Sequence, residues 1–388
     1  RAMGPLIGTI GGAGTYLALA LKSAFALIGM GAYLALFVDV PIKPLAVALT
    51  IAFTVLNITG AKQTTNLQRV LITILLLVMA LFMVSGVIEV LGRDTNQIID
   101  TQFEPFLIDG FEGLLGTVGF VFVSYAGLTK VASVAEEVEN PDRNIPLGMI
   151  LSLITATVVY TLGMMVMINV LSPDELYQSL TPVADAGEKF LSWMPFDIGI
   201  ILIVVAAIAA FASTGNAGIM SASRYPFAMA KDSLLPEKFS KLGRFGTPTF
   251  AIVMTVLAMV AILIFLDVES VAKLASAFQL LLFGLICLCV IVMRESRIEG
   301  YHPGFRAPFY PWLQIAGLLI SFWLIVEMGM ISIGFTGMLT IGCAVWYHLY
   351  AAGRTTRSGA IFHVTARMAE NRYAGLEKEM MTIMNERS

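Results

Sequence analysis

The sequence predicts an all-α, polytopic membrane protein of about ten transmembrane helices. Polar residues are too scarce to clothe a soluble surface, apolar runs recur at the length of a bilayer, and lysines and arginines alternate between successive loops. Of 388 residues, 57% are hydrophobic and 13% charged, with a mean hydropathy of +0.83. Soluble domains average about 45–50% apolar and about 25% charged residues, so a water-soluble fold is excluded.

A spanning helix needs about 20 mostly apolar residues at about 1.5 Å rise each. On that template the spans read 12–38, 45–60, 67–91, 112–133, 146–171, 196–217, 247–266, 271–293, 309–327 and 328–350. The first carries Lys22 about 15 Å inside its start. The second is short, and the fourth holds Gly127 and Lys130. The fifth follows a proline-bounded loop. There Asn140-Pro141 stops the preceding helix, because a residue before proline avoids the α region. Asn144 is expected to cap the next helix, with Pro146 in its first turn. The sixth contains Ser213-Thr214-Gly215-Asn216. Only Gly329 and Gly334 separate the last two.

Orientation follows from the positive-inside bias. One set of loops holds Lys62, Arg69, Arg143, Arg224, Lys231, Lys238, Lys241, Arg244, Arg294, Arg297, Arg306 and Arg354, whereas the other holds Lys43, Arg93, Lys189 and Lys273 beside several acids. The first set is expected on the cytoplasmic side of the cell membrane, with the C-terminus inside. An even number of spans puts Arg1 there too. Residues 1–353 read as the membrane domain and 354–388 as a cytoplasmic tail, a solvated helix or the lead into a soluble domain.

Composition also limits the chemistry. Three cysteines and three histidines, scattered, provide no disulfide framework or zinc spacing. No G-x-x-x-x-G-K-[ST] loop exists to cradle a nucleotide, and no Ser/His/Asp or paired-carboxylate set lies at membrane depth. An enzyme is not expected, nor a nucleic-acid partner.

Several residues stand out against the lipid. A charge at mid-membrane costs about 2.5–3.5 kcal/mol on insertion scales and usually faces a cavity or a partner. Lys22 is deep enough to favour a pathway role over snorkelling, while Lys130, nearer its span's end, reads equally well as either. Gly127, after Ser124, Tyr125 and Ala126, marks either a helix break or a close helix contact, and the residues alone favour the contact. Ser213 and Thr214 could offer oxygens to Na⁺ or bond across helices, with packing the simpler reading. Glu136 and Glu137 read as a solvated loop, or as a cytoplasmic gate pairing with Arg143 or Arg224.

The stretch AEEVENPDRNIP resembles the loop after the sixth helix of the amino acid–polyamine–organocation (APC) transporters. LNITGAKQTTNLQ, TPVADAGEKFL, SRYPFAMAKDSLLPEKFSKLGRFGTPTFAI and FRAPFYPWL resemble further family segments in the same order. The similarity covers nearly the whole chain and looks closest to archaeal and bacterial members named as cationic amino-acid transporters. It implies a LeuT-type inverted-repeat fold, with these ten spans as family helices 3–12 and the first two helices expected outside this sequence.

The resemblance further implies alternating-access transport of an amino acid or related organic amine, with no cofactor beyond a coupling Na⁺ or H⁺. Ser124, Tyr125, Ala126 and Gly127 match the substrate-binding break of the sixth helix, which reverses the preference for a packing role at Gly127. Ser213 and Thr214 match hydroxyls that bind Na⁺ in sodium-coupled relatives. Leu75 stands where some proton-coupled members carry a lysine, which argues against that mechanism unless Lys22 or Lys130 substitutes. A rival reading is a non-transporting membrane sensor or scaffold that keeps the transporter fold.

Overall fold

In the computed structural model, the structure describes residues 2–59, 65–93, 110–125, 127, 138–298, 301–355, 359–362 and 364. Twelve α-helices fill them: α1 (Gly4–Ala35), α2 (Ile42–Ile58), α3 (Thr65–Leu91), α4 (Gly110–Val121), α5 (Pro141–Val170), α6 (Pro173–Gln178), α7 (Pro182–Leu191), α8 (Ile198–Lys231), α9 (Thr249–Phe265), α10 (Val268–Ser296), α11 (Trp312–Glu327) and α12 (Met330–Trp346). Each expected span overlaps a helix, although in the fourth, 112–133, the α-helix ends at Val121. Among the described residues, six segments are long and apolar enough to cross a membrane, and four shorter apolar helices lie in the other spans. Of those four, α2 and α9 have 17 residues, about 25 Å, just under the thickness of a bilayer's hydrocarbon.

The boundaries differ from the sequence reading in three places. α1 begins at Gly4 rather than residue 12, with proline in its first turn, where the missing N–H costs nothing. α8 runs 34 residues, through Pro226 to Lys231. At about 51 Å it outreaches the hydrocarbon layer, so Arg224 sits on a projecting helical turn rather than in a loop. α5 begins at Pro141, so Pro146 lies in its second turn. Asn144 is not its cap: Asn140, at φ 48°, holds that position, and its carbonyl accepts the first bonds from Arg143 and Asn144. The Asn144 side chain instead donates to the Glu139 carbonyl at 2.6 Å. Between α11 and α12 the turn is at Gly329 (φ 93°), and Gly334 lies inside α12.

α1 is the centre of the bundle. More than half its residues are buried, as expected of a helix that is apolar all round. It packs chiefly on α8 and α10. The backbones approach closely because α8 offers glycines: a Cβ at Gly215 would come 2.7 Å from Leu27, and one at Gly218 would overlap Ser23. Small residues at such crossings are how helices associate where lipid removes the hydrophobic drive. The opposite case is α5, whose Ile150, Leu151, Ile154 and Val158 are all more than half exposed, a surface suited to acyl chains rather than water.

Long-range bonds fix which helix ends share a face. Lys43 donates to the Leu266 carbonyl at 3.3 Å, joining the α1–α2 and α9–α10 connections. Thr247 donates to the Ile58 carbonyl at 2.9 Å, and the Ile361 N–H donates to the Ala2 carbonyl at 3.0 Å, so residues after α12 fold back on the start of α1. The α5–α8 connection carries α6, started by a Ser172–Glu175 capping box, and α7, whose Lys189 reaches Glu175 at 2.6 Å.

Lys189 first, then the Ser172 groups, hold the Glu175 carboxyl down from its ordinary 4.5 to about 2. A depressed acid stabilises the fold above its ordinary value and loses that contribution as pH falls through the folded value. The α6–α7 clasp is therefore expected to be complete above pH 4.5 and lost as pH falls through about 2. Melting temperatures across that window check this: Lys189→Met should flatten the acid-side decline.

Candidate functional site: a helix broken inside the bundle

α4 has 12 residues, about 18 Å, too short to cross a bilayer. Its α-helical bonding stops at Val121, and the chain tightens into a 3₁₀ turn over Phe122–Tyr125, with Gly127 in a turn beyond. Its middle is pressed against the end of α11, where a Cβ at Gly116 would meet the Glu327 carbonyl at 3.2 Å. Aromatic contacts steady the break. Phe122 meets Phe283 of α10 edge-on at 5.2 Å, and Tyr125 meets Tyr160 of α5 at 5.6 Å.

Backbone groups freed at membrane depth cost several kcal/mol each unless protein or water satisfies them. Here one side chain serves two. The Ser276 hydroxyl on α10 donates to the Phe120 carbonyl at 2.6 Å and accepts the Val123 N–H at 3.0 Å. Ser276 is wholly buried. Three residues along α10, on the same face, Gln279 is also buried, and its Nε2 has no hydrogen-bond partner among the described residues.

The sequence candidates fall as follows. Ser124 is exposed, Tyr125 half-buried and Gly127 exposed. Among the described residues nothing lies within 4 Å of a Cβ built on Gly127. Ala126, Lys130, Glu136 and Glu137 lie outside the described residues. Arg143, in the first turn of α5, and Arg224 are both exposed. Lys22 is half-buried, about 27 Å along α1 from Gly4 and so well inside the helix.

The break lies against the stretch of α1 just before Lys22 in sequence. Val123 shares a buried cluster with Ala18 and Leu21 of α1 and with Val271, Leu274, Ala275 and Phe278 of α10. Ser213 and Thr214 are half-buried on α8, beside Gly215, which rests on Leu27, about 9 Å further along α1 than Leu21. Next along α8, Asn216 accepts from Asn57 of α2 at 2.6 Å. Asn57→Leu is expected to destabilise by about 1–2 kcal/mol, because it leaves a half-buried amide oxygen unpaired. Adding Asn216→Leu should recover part of that loss in a double-mutant cycle of thermal melts.

Ser276 and Gln279 escaped the sequence reading. A serine among alanines on an apolar helix reads as a packing residue, and nothing in LASAF says that its hydroxyl meets another helix's backbone. Gln279 was visible as the one amide in its run. Elsewhere, a cavity of about 420 Å³ opens between α1, α8, α9 and α12, lined by groups such as Met229, Met254, Cys343 and Trp346. Its walls are nearly all carbon, a poor match for a charged ligand.

Comparison with known proteins gives the same direction. The profile of the amino acid permease family matches residues 1–371. The methylthioribose transporter of Bacillus subtilis is 28% identical over 75% of this chain and 60% of its own length. A branched-chain amino acid permease of the same organism is 27% identical over 79% of the chain and 63% of its own length. The vacuolar cationic amino acid transporter 2 of Arabidopsis thaliana is 30% identical over 66% of the chain and 39% of its own length. The chain thus spans between about two fifths and two thirds of these relatives.

Proposed function

Because the chain belongs to the amino acid permease family, we propose that it acts as a secondary transporter of amino acids or related organic amines by alternating access, with the ligand at the α4 break. The observation that carries this reading is that the α-helical bonding of α4 ends at Val121 against α10, with nothing among the described residues within 4 Å of a Cβ on Gly127. The last carbonyls of a helix carry partial negative charge that favours an ammonium group. Ser124, Tyr125, Ala126 and Gly127 line the proposed site, where both small side chains and freed backbone can approach the ligand.

In this reading Ser213 and Thr214 supply oxygens to a coupling Na⁺. Lys22 or Lys130 is the proton-responsive alternative, since Leu75 offers no charge. Glu136 and Glu137 with Arg143 or Arg224 form the gate on the cytoplasmic face of the cell membrane. The relatives' named cargoes, amino acids and methylthioribose, favour a small polar substrate.

The decisive experiment is uptake of labelled amino acids into proteoliposomes under imposed Na⁺ or H⁺ gradients. Gradient-driven accumulation of at least one amino acid is the expected result. No flux of any amino acid or amine under either gradient would favour the sensor or scaffold reading. Dependence on Na⁺ that disappears in Ser213→Ala/Thr214→Ala would support the α8 hydroxyls, and a pH profile altered by Lys22→Met would support the lysine.

A further inference from the structure

We infer that Ser276 is a positioning residue that sets where α4 breaks. The inference rests on the reading of that break as the ligand site. Within residues 120–125 the sequence has no strong helix stop, and Gly119 in the last turn only weakens the helix. The segment FVFVSY, residues 120–125, contains no proline or glycine, and Gly127 comes six residues after the last α-helical position. β-branched and aromatic residues lower helix propensity only by tenths of a kcal/mol, about 0.7 at most. The stop is therefore imposed from outside.

Sharp departures from helix geometry arise where a side chain or water inserts into the hydrogen-bond ladder. The Ser276 hydroxyl does this, joining the Phe120 carbonyl (2.6 Å) to the Val123 N–H (3.0 Å). In a continued α-helix the Val123 N–H would bond to the Gly119 carbonyl. By taking that N–H, Ser276 holds Val123 out of register with Gly119. The residues that follow are then free to turn toward the ligand space.

The position is rigid. Ser276 lies on α10 between Ala275 and Ala277, both fully buried, and α10 itself is anchored on α1 and α11. Its start is capped by Asp267, which accepts the Ser270 N–H at 3.1 Å. Without the hydroxyl, the Phe120 and Val123 groups must find each other or Gly119, and the break moves toward Tyr125.

The test compares Ser276→Ala, Ser276→Thr and Ser276→Val in the membrane-reconstituted protein. Threonine and valine have nearly the same shape and differ by the hydroxyl, so their contrast separates the hydrogen bonds from packing. Hydrogen exchange of a peptide covering residues 120–127 is read first, because it needs no transport. Ser276→Ala and Ser276→Val should change its exchange rate about tenfold, as expected for two lost bonds, while Ser276→Thr stays near the native rate. Amino-acid uptake is read second: the KM should rise about tenfold in the alanine and valine variants and be rescued by threonine. Equal exchange in all four proteins, or in threonine and valine, overturns the role of Ser276 whatever the uptake shows. Altered exchange with no uptake by the native protein keeps the positioning role and overturns the transport reading instead.

Discussion

Gly127→Leu is expected to abolish uptake of every accepted amino acid while leaving the protein folded and inserted. Around a Cβ at this position the described residues leave 4 Å clear, so none of them clashes with the first carbon of the added side chain. Leucine would fill the space the ligand needs and cover backbone groups that the break leaves free. A ligand that must shed that side chain's volume, and lose a polar partner, should bind more weakly by about 3 kcal/mol or more, over a hundredfold. Gly127→Ala, one methyl into open space, should fold equally well and cost uptake far less. Initial uptake rates set beside thermal melts of the same preparations decide the matter. A leucine variant that melts like the native protein and still transports would remove the ligand from this turn.

What the sequence made legible was the periodic part. Apolar runs of bilayer length located a helix in each of the ten spans, though not the end of α4 at Val121, because in lipid a segment must satisfy its own backbone and length alone nearly dictates the helix. Where the chain leaves the lipid, that rule lapses, and the errors sit there. The start of α1 at Gly4, the extension of α8 to Lys231 and the second-turn Pro146 all depend on capping and local bonds, for which hydropathy gives no measure. The site was half legible. Residues 124–127 drew attention through small side chains and a glycine in an apolar run. Ser276 did not, since its importance comes from a backbone 153 positions away in sequence, and a single chain carries no mark of such a pairing.

Gly127, in the turn beyond α4, and Gly218, on α8, are expected to respond in opposite ways, and the second exposes the scaffold. Gly218 lies where α8 crosses α1. A Cβ there overlaps the Ser23 side chain and comes within 2.9 Å of its Cβ. Ser23 cannot retreat easily, because it is 1% exposed and its hydroxyl donates to the Leu19 carbonyl of its own helix at 2.7 Å. Gly218→Ala should therefore destabilise by about 1–3 kcal/mol, the usual cost of overpacking a filled interior. Gly218→Val should cost more and lower the yield of inserted protein. Ser23→Gly clears the same space from the other side. The Ser23→Gly/Gly218→Ala pair should recover stability to within about 1 kcal/mol of native, the remainder being the cost of a new glycine in a helix. If the two changes merely add, the crossing at Gly218 does not hold the helices together. Recovery would identify α1 and α8 as one rigid body, carrying Lys22, Ser213 and Thr214 in fixed relation. The broken α4, held to α10 by the Ser276 hydroxyl and by the Phe122 and Val123 contacts, would then be the element to test for rearrangement against it.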